Sequence, residues 1–340
     1  MRGLTRRGAL TGGAGLALGG LLGGWTRTTA AGAVEAEAAQ AGSPAAVIGG
    51  AVAGGSWEVV DLSVRTGEAY PVAFPDQPQF KVVPLSWFKR RRGPTPPGRS
   101  GGPRKGIAAV NAYQITEHTG TQIDFPPHFI PPPGVNIPGA RGGPEGRHTG
   151  DEFPLSALMG RAVVIDLRAV LAGNRAKGKS AQVPASWLER WEARYGRFEP
   201  GDVPLLFSGY TDRYYRRFPE GDRFKDRLLW KPLIEKSKPG WVVLAPGATE
   251  LLHARGMRHI ATDAPSYGAT EDPQAGHVAG LRLGMTWTES ATRLGRLPLR
   301  GAFFVCAPYK VQEQQAGIVR AFAFTQRGAA AVADSPPLEL

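Results

Sequence analysis

Hydrophobic positions along this chain fall in short runs separated by glycine and proline, and each run has a readable period. Trp57-Glu-Val-Val-Asp-Leu-Ser63 is a β-branched run closed by polar residues and predicts the first strand. Residues 107–115 predict another, and Ala162-Val-Val-Ile-Asp-Leu167 reads as a buried one. Pro184 to Arg194 changes to helical spacing, with Trp187, Leu188 and Trp191 on one face as core or interface residues. Asp202 to Ser208 predicts a strand, and Ala245 to Gly256 a short helix ended by its glycine. That helix feeds a strand over Met257 to Asp263, and the apolar stretch around Cys306 predicts a further buried strand. Strands alternating with helices imply an α/β layer arrangement. No internal repeat is visible.

Composition narrows this picture. The 46 Gly and 30 Pro of the 340 residues point to many turns and loops rather than a helical bundle. A single cysteine excludes an internal disulfide framework and a cysteine-built zinc cluster. Arg6 and Arg7 precede a Gly/Ala/Leu stretch too short and glycine-rich for a membrane span, and Ala31-Gly-Ala33 offers small residues for cleavage. Residues 1–33 are therefore expected to be a twin-arginine signal peptide, with delivery to the periplasm or the extracellular space and no stable membrane insertion after cleavage. Residues 34–56 are expected to be a flexible linker, 57–328 the folded domain, and 329–340 a C-terminal tail.

The formal charge is +12, and removing the four arginines of residues 1–33 leaves +8. Seven Lys and Arg lie between Lys89 and Lys105, so most of that excess is local and reads as a solvated, mobile loop. Without a nucleic-acid motif or interleaved aromatics, it does not indicate a nucleic-acid partner. The aromatic, charged segment from Tyr210 to Trp230 reads either as a pocket-lining insertion for a planar ligand or as core packing.

Candidate chemistry concentrates in His118-Thr-Gly-Thr-Gln-Ile-Asp-Phe-Pro-Pro-His128. His118, Gln122, Asp124 and His128 share parity, so an extended backbone would project them from one face, with Thr119 and Thr121 supporting the strand from the other. Pro126 and Pro127 end the strand near Asp124 and place His128 on a rigid turn. Imidazole and carboxylate converging in this way suit a Zn, Mn or Fe site. Downstream, His277 sits where a helix could open, and Glu289 follows a predicted turn; together they could complete a mixed nitrogen and oxygen ligand set. His148 reads as a surface residue of the long Gly/Pro loop, and His253 and His259 as structural or exposed.

The stretch from His118 to Phe129 resembles the His-x-Gly-Thr-His-x-Asp-x-Pro-x-His-Phe signature of the cyclase family of metal-dependent hydrolases, the family of bacterial kynurenine formamidases and isatin hydrolase. The likeness continues through Val59–Ser63, Arg161–Leu167, Ile260–Ser266, His277, Glu289 and Leu297–Lys310. It implies a single compact α/β domain of the swivelling β/β/α kind, with a mixed sheet, flanking helices and assembly as homodimers or homotetramers. It also implies that His118 and Asp124 ligate a first divalent metal, Mn or Zn. His277 and Glu289 would complete a second position with the bridging aspartate, and His128 would be the acid/base. Gln122 replaces a ligating His of the signature, and its amide oxygen favours Mn or Mg over Zn, or leaves a single-metal site. The expected activity is hydrolysis of an amide-like bond in a small-molecule substrate. Two other readings remain: a secreted binding protein on the same fold without turnover, and a metal-dependent lyase or cyclising enzyme.

Overall fold

The computed structural model describes residues 43–71, 74–88, 104–105, 107–218 and 226–338. The expected signal peptide lies outside the described residues, as do the start of the linker, most of the basic loop and residues 219–225. Eight strands form the central sheet: β1 (Trp57–Asp61), β2 (Gln122–Asp124), β3 (Met159–Asp166), β4 (Asp202–Phe207), β5 (His259–Thr262), β6 (Thr286–Glu289), β7 (Ala302–Pro308) and β8 (Ala316–Gln326). Their order is β1-β8-β7-β3-β4-β5-β6-β2, and β2 also pairs with β8, so seven of them close into a ring with β1 added alongside β8. β3 to β6 run parallel, and the remaining pairings are antiparallel. The architecture is thus mixed α/β, as the alternating pattern predicted, with a closed rather than an open sheet.

Closure explains why β3 and β4 are apolar at nearly every position. Ala162 and Val164 join the cluster of Leu205, Phe207, Ala261 and Phe304, while Val163 and Ile165 join that of Leu206, Ile260 and the helices. A strand buried on both faces has no solvated side to fill with polar residues. The second cluster is covered by α1 (Ala185–Tyr195), α2 (Pro246–Ala254) and α3 (Pro273–Leu281). Trp187, Leu188 and Trp191 are all buried there, as their spacing predicted, and losing either tryptophan ring would cost about 3–5 kcal/mol.

Outside the ring, residues 81–87 and 110–114 pair antiparallel, and Arg104–Lys105 of the basic stretch add two residues beside Ser86 and Trp87. Ala45 to Ala53, within the expected linker, forms helical turns. Residues of the expected tail return to the domain: Arg168 donates to the carbonyls of Val332 and Ser335, and Leu338 N–H donates to Asp166. No helix of the described residues is long and apolar enough to cross a membrane.

Candidate metal centre

The ligand-bearing stretch is arranged differently from a single extended strand. Only Gln122–Asp124 is strand, and His118 lies in a turn before it. Gly120 makes that turn at φ +68°, where a Cβ would stand 2.7 Å from Thr66 Cγ2, so only glycine fits. Parity therefore holds for Gln122 and Asp124, while His118 reaches the same spot through the turn. Thr121 hydroxyl donates to Ser290 O at 2.8 Å and accepts from Val64 N–H at 2.9 Å, so it supports the strand as expected. Pro126–His128 forms one 3-10 turn after the strand, with Pro at its start, and this carries His128 as predicted.

The second half arrives from β6 and α3. Trp287 and Glu289 pair across from Asp124 and Gln122, which sets the Asp124 and Glu289 carboxylates on neighbouring strands. Asp272 caps α3 by accepting from the backbone of Gln274 and Ala275, Pro273 occupies its first turn, and His277 falls near mid-helix. α3 approaches β6 through Gly280, where a Cβ would stand 2.1 Å from the Trp287 ring.

Asp124 is the hub. His118 Nδ1 lies 3.3 Å from its Oδ1, and His277 Nε2 and His128 Nε2 lie 3.4 Å and 3.9 Å from its Oδ2. His277 Nε2 is also 3.2 Å from Glu289 Oε1. Two donor sets result, His118–Asp124–His128 and Asp124–His277–Glu289, each with its atoms within 4.8 Å of one another and sharing Asp124. All six residues singled out in the sequence thus meet at one place.

Gln122 is the exception in role. Its Nε2 donates to Glu289 Oε2 at 2.7 Å and to Asp124 Oδ1 at 3.3 Å, and its Oε1, the atom expected to ligate, is buried without a partner. Asp124 Oδ2 is likewise buried with no hydrogen bond. Two carboxylates and three imidazoles with orphaned buried oxygens form a donor set that fits a divalent cation.

Burial by itself would raise Asp124 and lower the histidines. At Asp124 the charge of His128 and the close approach of the His118 and His277 ring nitrogens overcome burial and hold the carboxyl well below its ordinary range. At Glu289 burial and the neighbouring Asp124 win, and the acid is raised. His277 and His118 are raised despite burial, because each faces carboxylates. His128 differs: burial and repulsion from His118 and His277 outweigh Asp124 and push it down to about 4. With its side chain 24% exposed, against 4% for His277, it is a neutral imidazole on the open side of the cluster.

Several supporting groups were not legible in the sequence. Pro273 O accepts from His277 Nδ1 at 2.6 Å, which leaves Nε2 free to face the carboxylates. The Tyr267 N–H donates to Glu289 Oε1 at 2.5 Å, and the Phe129 ring stacks on His277 at 4.4 Å between centroids. The first two are backbone contacts that no residue type announces, while Phe129 was already present in the signature beside His128. His148 is an exposed partner of Glu145, as read. His259, read as structural or exposed, is structural and fully inside.

A mixed α/β ring with a shared carboxylate between two clusters of nitrogen and oxygen donors defines a candidate divalent-metal protein. The chain belongs to the cyclase family: residues 60–269 match its model, described as a putative cyclase. It is 25% identical over 228 residues to isatin hydrolase of Roseibium aggregatum, covering 64% of this chain and 76% of that protein. An isatin hydrolase bound to the product analogue thioisatinate superposes with a TM-score of 0.61 at 22% identity, over 86% of this chain and 99% of that one. Isatin hydrolase A from Ralstonia solanacearum gives 0.61 at 21% identity, over 84% and 98%. These likenesses establish the fold. The matched region holds His118, Gln122, Asp124 and His128, whereas His277 and Glu289 lie beyond it.

Proposed function

We propose that this protein is a metal-dependent hydrolase of a cyclic or N-acyl amide, or a related ester, in a small aromatic molecule. The observation that carries the reading is the Asp124 carboxylate shared between two clusters of donors, one reaching His118 and His128 and the other His277 and Glu289. His118, Asp124, His277 and Glu289 would hold Mn or Zn, with Gln122 contributing its oxygen after rotation of the amide. A divalent ion there supplies Lewis acidity, lowering the pKa of water and polarising a carbonyl. His128, neutral and on the open side, takes a proton from the attacking water and returns it to the leaving nitrogen or oxygen. Asp124 keeps His118 and His277 oriented, and Tyr267 N–H holds Glu289.

The similarity to isatin hydrolase supports a cyclic-amide substrate, and family resemblance supports the swivelling description of the fold and assembly as a homodimer or homotetramer. The paired arginines Arg6 and Arg7 support export by the twin-arginine route to the periplasm or beyond. The test is elemental analysis of the purified chain with turnover of cyclic amides, formanilides and lactones in labelled water. One or two equivalents of metal, lost in Asp124→Ala, with one water oxygen in the product, is the expected result. No metal taken up from added Mn or Zn would leave the binding-protein reading in front, and product without labelled oxygen would favour a lyase.

A further inference from the structure

At the carboxyl ends of β3 and β4, away from the six metal-centre residues, lies a cavity of about 810 Å³ whose charged lining is entirely basic among the described residues. Arg168 is already spoken for: it pairs with Asp166 at 2.8 Å and donates to backbone carbonyls near the C-terminus. Arg175, Lys177, Arg213, Arg227 and Lys238 also line the cavity, and none has a carboxylate partner among the described residues. Their placement is fixed by other means. Gly178 N–H donates to Lys238 O at 2.9 Å and Lys177 bridges Pro239, which locks the two lysine-bearing loops together. The Arg227 guanidinium lies 4.4 Å over the Tyr214 ring and donates to Tyr210 OH at 3.0 Å, while Arg213 lies 5.4 Å from that ring's centre.

We propose that this cavity is a second binding site, for a small multivalent anion of the phosphate type. Like charges gathered in a concavity repel one another, and an occupant of several negative charges reverses that term. A monovalent carboxylate would leave most of the five cations unopposed. Guanidinium forks and ammonium groups lining one cavity suit an oxyanion that accepts from several directions. The volume is that of a small-molecule site, and the ends of parallel strands, where connections diverge, are a common place for one.

Calorimetric titration of the full chain with inorganic pyrophosphate tests this, at low and at physiological salt. Saturable binding is expected, weakened at least about tenfold in Lys177→Gln/Lys238→Gln, because charge-assisted hydrogen bonds are lost. Lys81→Gln/Lys310→Gln removes the same charge elsewhere on exposed surface and should leave affinity unchanged. Absence of saturable binding, or equal weakening in both double variants, overturns the site. Sedimentation with phosphatidic-acid vesicles separates the sources: capture abolished only in Lys177→Gln/Lys238→Gln assigns a lipid headgroup, and pyrophosphate binding without such capture assigns a soluble phosphorylated molecule.

Discussion

Replacing His259 with Gln should erase part of the protein's sensitivity to mild acid. His259 is buried in the sheet, with its ring nitrogens 2.7 Å and 2.9 Å from the hydroxyls of Thr286 and Thr288, and it faces Phe304. Neither hydroxyl compensates a positive charge, and burial pushes the imidazole down to about 3 from its ordinary 6.5. The folded chain therefore stays unprotonated where the unfolded chain takes up a proton. Stability is complete above pH 6.5 and is lost as pH falls from there toward 3. At pH 5 the difference amounts to about 2 kcal/mol. Gln can still donate to one hydroxyl and accept from the other, yet it does not titrate. Urea unfolding of both proteins at pH 7.5 and pH 5.0, with chelator present throughout, gives the double difference, in which all other titrating groups cancel. The variant should lose about 2 kcal/mol less on acidification than the parent. Equal losses would refute the reasoning and mean that His259 is charged inside the fold.

Other outcomes follow from the centre itself. His128→Ala should keep its metal by elemental analysis while turnover falls at least about a hundredfold, the usual scale of acid/base assistance; retained turnover would remove His128 from that role. Gln122→His should raise the share of zinc retained after dialysis against equal Mn and Zn, and an unchanged ratio would show that position 122 does not touch the metal. Gly280→Ala drives a methyl into the Trp287 ring and should cost about 1–3 kcal/mol, read as a lower melting temperature with reduced metal content as His277 shifts. Added Mn should raise the melting temperature of the parent, by about 4 kcal/mol of stabilisation at a thousandfold excess over Kd, and Asp124→Ala should not respond.

The sequence made the buried elements easy to find, because β3 and β4, buried on both faces, and α1, buried on one, carry patterns set by burial alone. It revealed the identity of the metal-centre residues through composition and resemblance, yet it misplaced the reason they converge. Parity suggested one extended face, whereas His118 arrives through the Gly120 turn; only His128 follows the expected route, on the turn that Pro126 and Pro127 start. Closure of the sheet was not legible either, since pairing of β2 with β8 depends on contacts remote in the chain. Nor was the hydrogen-bonding role of Gln122, which depends on where Glu289 lands. The described residues of Tyr210–Trp230 divide between the two readings: Tyr210, Leu228 and Leu229 pack with Trp241, while Arg213, Tyr214 and Arg227 line a cavity.

The position of β2 in the ring also sets an order of events. Both neighbours of this short strand, β6 and β8, are synthesised long after it, and β8 is the last strand among the described residues. Until the ribosome has released that strand, β2 is paired on one side only, the ring stays open, and Asp124 lacks half of the sheet that holds it. Metal capture is therefore expected to wait for the finished chain, and a nascent or C-terminally truncated copy would present scattered histidines rather than a centre. Were the proposed twin-arginine export to operate, a route for folded cargo, the metal would be chosen before the protein left the compartment where it was made.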